Sequence, residues 1–164
     1  MKSPSGIRSA LVKIRKLQKR GKKIVFTNGC FDLIHSGHVR LLNQAKKLGD
    51  VLVVGLNTDA SVRWLKGASR PILTLKERRE VLSNLRCVDF VLPFGEKTPY
   101  DLIRLVQPDV LIKGGDWGTG SVVGRDIVEQ RGGKLVKGLF VKGRSTSEII
   151  ERIRCAEPGT GIRK

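Results

Sequence analysis

The feature that most constrains the fold of this chain is a loop, residues 27–38, between an apolar strand pattern and a helical pattern. The strand pattern covers residues 24–26, and the helical pattern begins at Val39. Both histidines of the chain, His35 and His38, lie in this loop with a Ser-Gly pair between them. The first N–H groups of a helix have no internal partner, so α/β folds collect anions at such junctions. Imidazole donors beside these groups predict a site for phosphate chemistry.

Two other interpretations of the histidines are less favoured. A single histidine near a helix start is more often a cap or a surface residue than a catalyst, but here both histidines of the chain fall within four residues. Histidine pairs also bind zinc, yet histidines three apart across Ser-Gly sit poorly on one helical face. No local cluster of cysteines or carboxylates completes a tetrahedral ligand set, and Asp32 alone does not supply it. We therefore predict no protein metal site.

Strand and helix patterns alternate along the rest of the chain. Residues 7–20 have the spacing of an amphipathic helix, and 51–57 are a continuous apolar run typical of a parallel strand covered on both faces. Thr74 and Glu77 have the spacing of a capping box at the start of a helix. Further helices are predicted over 39–48, 59–65, 74–86, 98–106, 122–131 and 145–155, and further strands over 23–27, 89–93, 109–113 and 134–141.

This alternation predicts an α/β fold, a Rossmann-like doubly wound parallel sheet. We expect a single domain over residues 1–164, with an N-terminal amphipathic helix within 1–22 and a flexible tail at 157–164. Nothing resembles a signal peptide, and no apolar run approaches about 20 residues, so no membrane association is expected. The three cysteines, which are far apart and form no CxxC pair, predict a reducing, cytoplasmic setting: Cys30, Cys87 and Cys155.

The unusual property of the composition is a formal net charge of +17. One interpretation is a nucleic-acid-binding surface. Aromatic residues make up only 5% of the chain, however, and no zinc-finger or RRM-type signature is present, so nucleic acid is disfavoured as a partner. We favour a solvated basic surface that draws small anionic substrates into a cleft.

Polar and cationic segments follow the predicted strands at the edge where parallel sheets bind ligands. Besides the histidine loop, they are Asn57-Thr58-Asp59 with Arg63, Lys66, Arg70 and Arg78 beyond it, Lys113-Gly114-Gly115-Asp116-Trp117, and Gly143-Arg144-Ser145-Thr146-Ser147. The last segment opens a helix and so offers a second helix N-terminus to an anion. Together these segments predict a triphosphate site. The chain has no Walker lysine motif and no GxGxxG, which disfavours a P-loop NTPase and a dinucleotide oxidoreductase.

Two of these stretches also carry a family resemblance. Gly29-Cys30-Phe31-Asp32 followed by His35-Ser36-Gly37-His38 resembles the HxGH signature of the cytidylyltransferase-like nucleotidyltransferases. Within that superfamily the chain resembles, over about residues 8–154, the adenylyltransferases that join AMP to D-glycero-D-manno-heptose 1-phosphate. The stretches that carry this closer resemblance are Phe26–Asp32, Asn57–Val62, Leu65–Gly67, Arg70–Ile72, Pro108–Asp116 and Ser145–Ser147. Lys142 and Arg144 differ from the residue types that the resembling family carries at these positions. Both are expected beside the nucleotide pocket, so they affect the preference for the base and for the sugar.

The resemblance implies that the sugar 1-phosphate attacks the α-phosphorus of ATP in line, giving an ADP-sugar and pyrophosphate. It implies three catalytic residues, His35, His38 and Lys66. The implied ATP-binding residues are Thr27, Asn28, Gly29, Phe31, Asp32, Arg78, Lys113, Gly114, Asp116, Trp117, Ser145 and Thr146. Mg²⁺ is expected to be bound mainly through the ATP phosphates, with Asp32 either a helper or a structural cap of the loop.

The implied partners are ATP, a sugar phosphate, a separate sugar kinase that supplies it, and a second copy of the chain in a homodimer. Other substrate pairs stay open, namely CTP with glycerol 3-phosphate and ATP with flavin mononucleotide, although the Lys113–Asp116 stretch disfavours both. A non-enzymatic nucleic-acid-binding module and an ATP sensor without turnover are the remaining alternatives. The presence of His35 and His38 disfavours the sensor.

Overall fold

The computed structural model of the chain describes residues 5–114, 122–139 and 145–156. Within these residues, helices and strands alternate as the sequence predicts. The helices are α1 (Ser5–Lys19), α2 (Ser36–Lys46), α3 (Asp59–Lys66), α4 (Leu75–Ser83), α5 (Tyr100–Val106), α6 (Arg125–Glu129) and α7 (Thr146–Cys155), and the strands are β1 (Ile24–Gly29), β2 (Val51–Asn57), β3 (Phe90–Phe94), β4 (Val110–Lys113) and β5 (Lys134–Lys137).

The five strands form one parallel sheet in the order β3-β2-β1-β4-β5. The chain moves outward from β1 to β3, returns across the sheet to β4, and continues outward on the other side to β5. β1 and β2 pair in register from Ile24 opposite Val51 to Gly29 opposite Leu56. This arrangement confirms the prediction of a Rossmann-like doubly wound parallel sheet.

Helices cover both faces of the sheet, and alternate residues of β1 enter two separate apolar clusters. Phe26 packs with Ile14 of α1 and with residues of α5 and α6. Val25 packs on the opposite face with Leu42 of α2 and Leu82 of α4. All five side chains are fully buried. Burial of each such side chain stabilises the fold by about 1.5–3 kcal/mol relative to its exposed state, which explains the apolar character of the central strands.

Carboxylates close the amino-terminal edge of the sheet. Asp109 accepts a hydrogen bond from the first N–H group of β1 at 2.7 Å, and Asp89 accepts one from an N–H group of β2, also at 2.7 Å. Asp50 accepts one from the backbone N–H of Lys23, just before β1, at 2.8 Å. These acidic groups therefore lie at the edge opposite the predicted ligand site.

The predicted capping box at the start of α4 is present. The Thr74 side chain accepts a hydrogen bond from the backbone N–H of Glu77 at 3.4 Å, and the Glu77 carboxylate accepts one from the backbone N–H of Thr74 at 2.8 Å. The helix ends at Ser83, before the predicted end at Arg86, because the following backbone tightens into turns in which the N–H of Leu85 bonds three residues back.

α6 is shorter than the predicted helix over 122–131. Gly124 before it has a φ of +84°, and Gly132 after it has a φ of +73°. A helix cannot continue through these left-handed conformations, and glycine adopts them at little cost. β5 ends at Lys137, so the strand predicted over 134–141 is too long at 138–139. The remainder of that prediction, 140–141, and the tail at 157–164 lie outside the described residues. No helix in the described part of the chain is long and apolar enough to cross a bilayer.

Candidate functional site

The candidate site lies at the carboxyl edge of the sheet, between β1 and β4. β1 ends with Asn28 and Gly29, and β4 ends with Lys113; from these two neighbouring strands the chain proceeds to opposite sides of the sheet. Open parallel sheets bind ligands at this point of reversal. A Cβ atom at Gly114, directly after β4, would come within 2.7 Å of Leu41 Cδ2 in α2. Glycine at this position therefore lets the chain after β4 lie against the middle of α2.

His35 caps α2, so the helix begins at Ser36 and not at the predicted Val39. Its Nδ1 accepts a hydrogen bond from the backbone N–H of Gly37 at 3.1 Å, which supplies a partner for a first-turn N–H group. The helix start was hard to predict because Gly37 is a poor helix former. An accepting Nδ1 carries no proton, so the neutral imidazole has its proton on Nε2. His35 is therefore both a cap and a hydrogen-bond donor.

His38 lies in the first turn of α2, and its ring packs against two other rings. Its centroid is 3.8 Å from that of His35, with 26° between the planes, and 5.1 Å from that of Phe31. Burial and the neighbouring His35 lower the pKa of His38 from 6.5 to about 4, against the opposing effect of the Leu33 backbone. The imidazole is consequently neutral at pH 7, and any bond it donates to a phosphate comes from an uncharged ring.

Two buried polar atoms of this loop, Thr27 Oγ1 and His38 Nδ1, have no hydrogen-bond partner within the described residues. Thr27 is fully buried on the face of β1 that Val25 shares with α2. Its hydroxyl therefore lies inside the protein and not on the wall of the cleft. Native proteins contain few such unpaired groups, and they concentrate at functional sites or bind ordered water.

Asp32 is a residue of the loop, and its side chain is fully buried. Its carboxylate accepts hydrogen bonds from Arg70 Nε at 2.6 Å and from the backbone N–H groups of Ile72 and Leu73 at 2.9 Å each. Burial by itself raises the pKa of Asp32, but the bonds from Leu73, Ile72 and Arg70 hold it below its usual range. Of the two roles left open by the sequence, the structural one fits these contacts, because the oxygens are already engaged by the segment 70–73.

Arg78 is also fully buried, which differs from the expectation that its guanidinium contacts phosphate. Nη1 donates to the carbonyl oxygen of Cys30 at 2.6 Å, Nη2 to the Asp59 carboxylate at 2.7 Å, and Nε to the carbonyl oxygen of Leu73 at 3.0 Å. Every nitrogen of the guanidinium thus has a partner inside the protein. The structure gives Arg78 the role of joining α3, α4 and the histidine loop.

Positive charge surrounds Cys30, the residue directly after β1. Burial raises the pKa of the Cys30 thiol, while the charges of Lys66, Arg78 and Arg70 act in the opposite direction. Lys66 is exposed at the end of α3, where its ammonium is available to an anion. Lys113 is half-buried at the end of β4, and burial lowers its pKa. Cations on two sides of the loop make this edge attractive to phosphates.

The N-terminus of α7 is fastened to the histidine loop. Thr146 Oγ1 donates a hydrogen bond to the carbonyl oxygen of Leu33 at 3.2 Å. Ser145 caps α7 in a capping box with Glu148, in which its side chain accepts from the Glu148 N–H at 3.1 Å. The first N–H groups of α2 and of α7 are therefore held close to the same loop, as an anion site with two helix N-termini requires.

The predicted residues thus separate into three groups. The carboxyl edge gathers Asn28, Gly29, Phe31, His35, His38, Lys66, Lys113, Gly114, Ser145 and Thr146. Buried groups beneath it are the hydroxyl of Thr27 and the side chains of Asp32 and Arg78. Asp116, Trp117, Lys142 and Arg144 lie outside the described residues.

Two contacts of the site escaped the sequence reasoning. One is the bond from Arg70 to Asp32, whose sequence separation is 38 positions. The other is the bond from Thr146 to the carbonyl oxygen of Leu33, whose sequence separation is 113 positions. No local pattern links such distant positions, and a backbone carbonyl leaves no trace in residue type.

Comparison with known proteins gives the site a family context. A family model described as cytidylyltransferase-like matches residues 26–152. The curated protein "Bifunctional protein HldE" of Citrifermentans bemidjiense is 56% identical over 140 residues, which are 85% of this chain and 29% of that protein. The protein of the same name in Geotalea uraniireducens is 56% identical over 146 residues, 88% of this chain and 30% of that protein. The chain therefore spans about 30% of the length of these curated relatives.

Solved structures match the fold. The lipopolysaccharide core biosynthesis protein from Thermoplasma volcanium is 29% identical with a TM-score of 0.63, and the match covers 74% of this chain and 99% of that one. The pantoate-beta-alanine ligase from Francisella tularensis, in complex with beta-gamma ATP and beta-alanine, has a TM-score of 0.54 at 14% identity, covering 88% of this chain and 75% of that one. The second likeness is one of fold alone.

Proposed function

The chain belongs to the cytidylyltransferase-like family of nucleotidyltransferases, and we propose that it transfers AMP from ATP to heptose 1-phosphate, releasing pyrophosphate and forming an ADP-heptose for lipopolysaccharide core precursors. The enzyme class follows from the family. The choice of ATP and of the sugar phosphate is supported by the relatives named HldE at 53–57% identity and by the lipopolysaccharide core biosynthesis protein of similar fold.

The observation that carries the proposal is the geometry of the histidine loop. Two stacked imidazoles, His35 and His38, stand at the N-terminus of α2 and beside the end of β1. His35 has its proton on Nε2, because Nδ1 accepts the bond from Gly37. Neutral imidazole donors at a helix N-terminus favour the oxygens of a phosphoryl group as the ligand.

In the proposed reaction, an oxygen of the sugar 1-phosphate attacks the α-phosphorus of ATP. A bond forms between that oxygen and the α-phosphorus, and the bond from the α-phosphorus to the oxygen that bridges to the β-phosphorus breaks. Pyrophosphate leaves with the bonding electron pair. A phosphate monoester dianion is already nucleophilic, so no general base is needed, and the protein acts by positioning and by stabilising charge.

Each side chain then has a role that its position supports. His35 and His38 donate to the oxygens of the α-phosphoryl group as charge moves toward the leaving group. Lys66, exposed at the end of α3, is assigned to the phosphates, and Lys113 to the nucleoside side of the cleft. Ser145 and Thr146 bring the N-terminus of α7 to the β- and γ-phosphates.

We propose that Mg²⁺ arrives with ATP and neutralises phosphate charge. Among the described residues no group of three or more histidine, cysteine, aspartate or glutamate side chains is placed to hold a metal ion. Asp32 does not fit as a ligand, because its oxygens accept bonds from Arg70, Ile72 and Leu73. We assign most of the metal's coordination to the phosphates of ATP, whose oxygens are ligands that Mg²⁺ prefers.

The partners follow from the substrates. The phosphorylated heptose has to be supplied by a sugar kinase activity, and we place the reaction in the cytoplasm with its ATP. We also propose a homodimer, which light scattering on the purified chain would measure directly.

Pyrophosphate release tests the proposal. Purified protein with Mg²⁺ is assayed with ATP or CTP against heptose 1-phosphate, glycerol 3-phosphate and flavin mononucleotide, with His38→Ala as the control. We expect turnover with ATP and the heptose, reduced on the order of 10²–10³ in the variant. Turnover with CTP and glycerol 3-phosphate would reassign the substrates within the family. Silence with every pair, together with salt-sensitive binding to nucleic acid, would replace the proposal with a binding role.

A further inference from the structure

Two buried charged side chains, those of Arg78 and Asp32, fix the backbone of the histidine loop on either side of Phe31. Arg78 binds the carbonyl oxygen of Cys30 at 2.6 Å. Asp32, two residues later, binds the backbone N–H groups of Ile72 and Leu73, while Arg78 also binds the carbonyl oxygen of Leu73. The backbone on each side of position 31 is thereby fixed to the segment 70–73. Neither charge has exposed side-chain surface, so both bond sets are protected from competition by water.

The residue held between these two anchors is strained. Phe31 has a φ of +42°, a left-handed conformation that non-glycine residues rarely adopt and that persists only where the surroundings impose it. Its ring is buried and lies over Gly29, where a Cβ atom would come within 3.1 Å of Phe31 Cε2. The other neighbour of the ring is His38, with 5.1 Å between centroids and 55° between planes. The left-handed backbone at Phe31 thus places its ring in contact with the imidazole of His38.

We propose that Arg78 is a positioning residue that holds the Cys30 carbonyl, keeps Phe31 in its left-handed conformation, and so fixes the ring of His38 for the α-phosphoryl group. Arg78 acts through Phe31 and does not contact the substrate. The inference rests on the proposed function for its kinetic readout only, because the position of the His38 ring is measurable without turnover.

The planar fork of arginine explains why this residue type stands at position 78. Its three nitrogens reach acceptors on three elements: the Cys30 carbonyl, the Asp59 carboxylate at the start of α3, and the Leu73 carbonyl before α4. A lysine ammonium at the same place would keep the charge but could not hold three acceptors in this fixed arrangement. Arg78→Lys is therefore expected to fold and still to release Phe31.

The test uses the fact that the chain has only two histidines. Ring ¹H–¹³C NMR signals of His35 and His38 are recorded for the wild type, Arg78→Lys, Arg78→Met and Phe31→Leu. The spectrum of His35→Asn contains only the His38 signals and so assigns each signal to its histidine. The His38 signals lie in the ring current of Phe31, so they should shift in all three variants at positions 31 and 78. Arg79→Met, an exposed arginine on the same helix, is the matched control and should leave both sets unchanged.

Kinetics separate positioning from general damage. In Arg78→Lys and Phe31→Leu we expect kcat for pyrophosphate release to fall about 10²-fold while KM for ATP changes much less, because the misplaced group acts on the transition state. Thermal unfolding confirms that each variant is folded, and Arg78→Lys carries the test if Arg78→Met does not fold. Unchanged His38 signals and an unchanged kcat in folded Arg78→Lys would overturn the inference. If the wild type releases no pyrophosphate with any substrate pair, the proposed function is overturned. The NMR comparison would still test whether Arg78 fixes the position of the His38 ring.

Discussion

The imidazole rings of His35 and His38 stack on each other at the start of α2, with 3.8 Å between centroids and 26° between planes. Their three-residue spacing had indicated that they sit poorly on one face, but the early start of the helix brings both rings to the same side. Two imidazoles this close resist simultaneous protonation. The pair is therefore suited to donate hydrogen bonds as neutral groups, since a protonated ring would be disfavoured by its neighbour.

The first prediction concerns the protonation of His38. Burial and the neighbouring His35 lower its pKa from 6.5 to about 4, so an NMR titration of its ring signals should show a midpoint near 4. Because the folded pKa lies below the unfolded one, the neutral form stabilises the fold fully above pH 6.5. That contribution should be lost as the pH falls from 6.5 toward 4, where the unfolded chain binds a proton that the folded one does not.

The control for this titration is His38→Gln, which cannot take up the proton. Between pH 6.5 and 4 its free energy of unfolding should decline less than that of the wild type, measured by urea denaturation at each pH. A midpoint of 6.5 for His38 in the folded protein would contradict the buried, stacked geometry.

The second prediction separates the two roles of His35. His35→Ala removes both the cap on the Gly37 N–H and the Nε2 donor, so it should lower the free energy of unfolding by about 0.5–2 kcal/mol and also abolish most turnover. His35→Asn retains a good capping side chain, but its amide is too short to place a donor where Nε2 lies. We expect the asparagine variant to unfold near the wild-type midpoint while pyrophosphate release falls on the order of 10²-fold. An asparagine variant with full activity would show that His35 is only a cap.

The third prediction concerns Asp32. Asp32→Asn replaces a carboxylate that accepts from three donors by an amide whose NH₂ group faces N–H donors, and it leaves Arg70 without its charged partner. Breaking one partner of a buried pair costs about 3–5 kcal/mol, so urea denaturation should show a large loss of stability. Its lowered pKa implies that the wild-type contribution disappears as the pH falls below about 4. The Mg²⁺ concentration at half-maximal activity should stay unchanged in the folded variant, whereas a large increase would make Asp32 a metal ligand.

The fold was predictable from the sequence because its signals are local and repeated. The seven residues of β2 are all buried and were recognisable as a continuous apolar run, and the Thr74–Glu77 capping box marked the start of α4. The alternation of strands and helices predicted parallel strands joined by crossovers, but the order of the strands in the sheet was not predicted. The starts of α2 and α6 were less predictable, because each lies next to a glycine: Gly37 is inside α2 and Gly124 precedes α6. A glycine can either continue or end a helix, so its presence does not fix the boundary.

The site was predictable in its location and less so in its internal contacts. The carboxyl ends of parallel strands meet at one edge, which predicted that His35 and His38, directly after β1, lie at that edge. The burial of Arg78 was not predictable, because an arginine that binds phosphate and one that binds carbonyls read the same in a sequence. The left-handed backbone at Phe31 has no sequence signal either, since tertiary contacts impose it.

The fourth prediction concerns the bond that joins α7 to the histidine loop. Thr146→Val keeps the shape of the side chain but removes the hydroxyl that donates to the carbonyl oxygen of Leu33 at 3.2 Å. Such a bond is worth about 0.5–1.5 kcal/mol, so kcat/KM for ATP should fall about 2–10-fold as the N-terminus of α7 moves from its place. Thr146→Ser retains a hydroxyl and should recover most of this loss. If serine is as impaired as valine, the methyl group matters and not the bond; if valine matches the wild type, α7 does not depend on this bond for its place beside the phosphates.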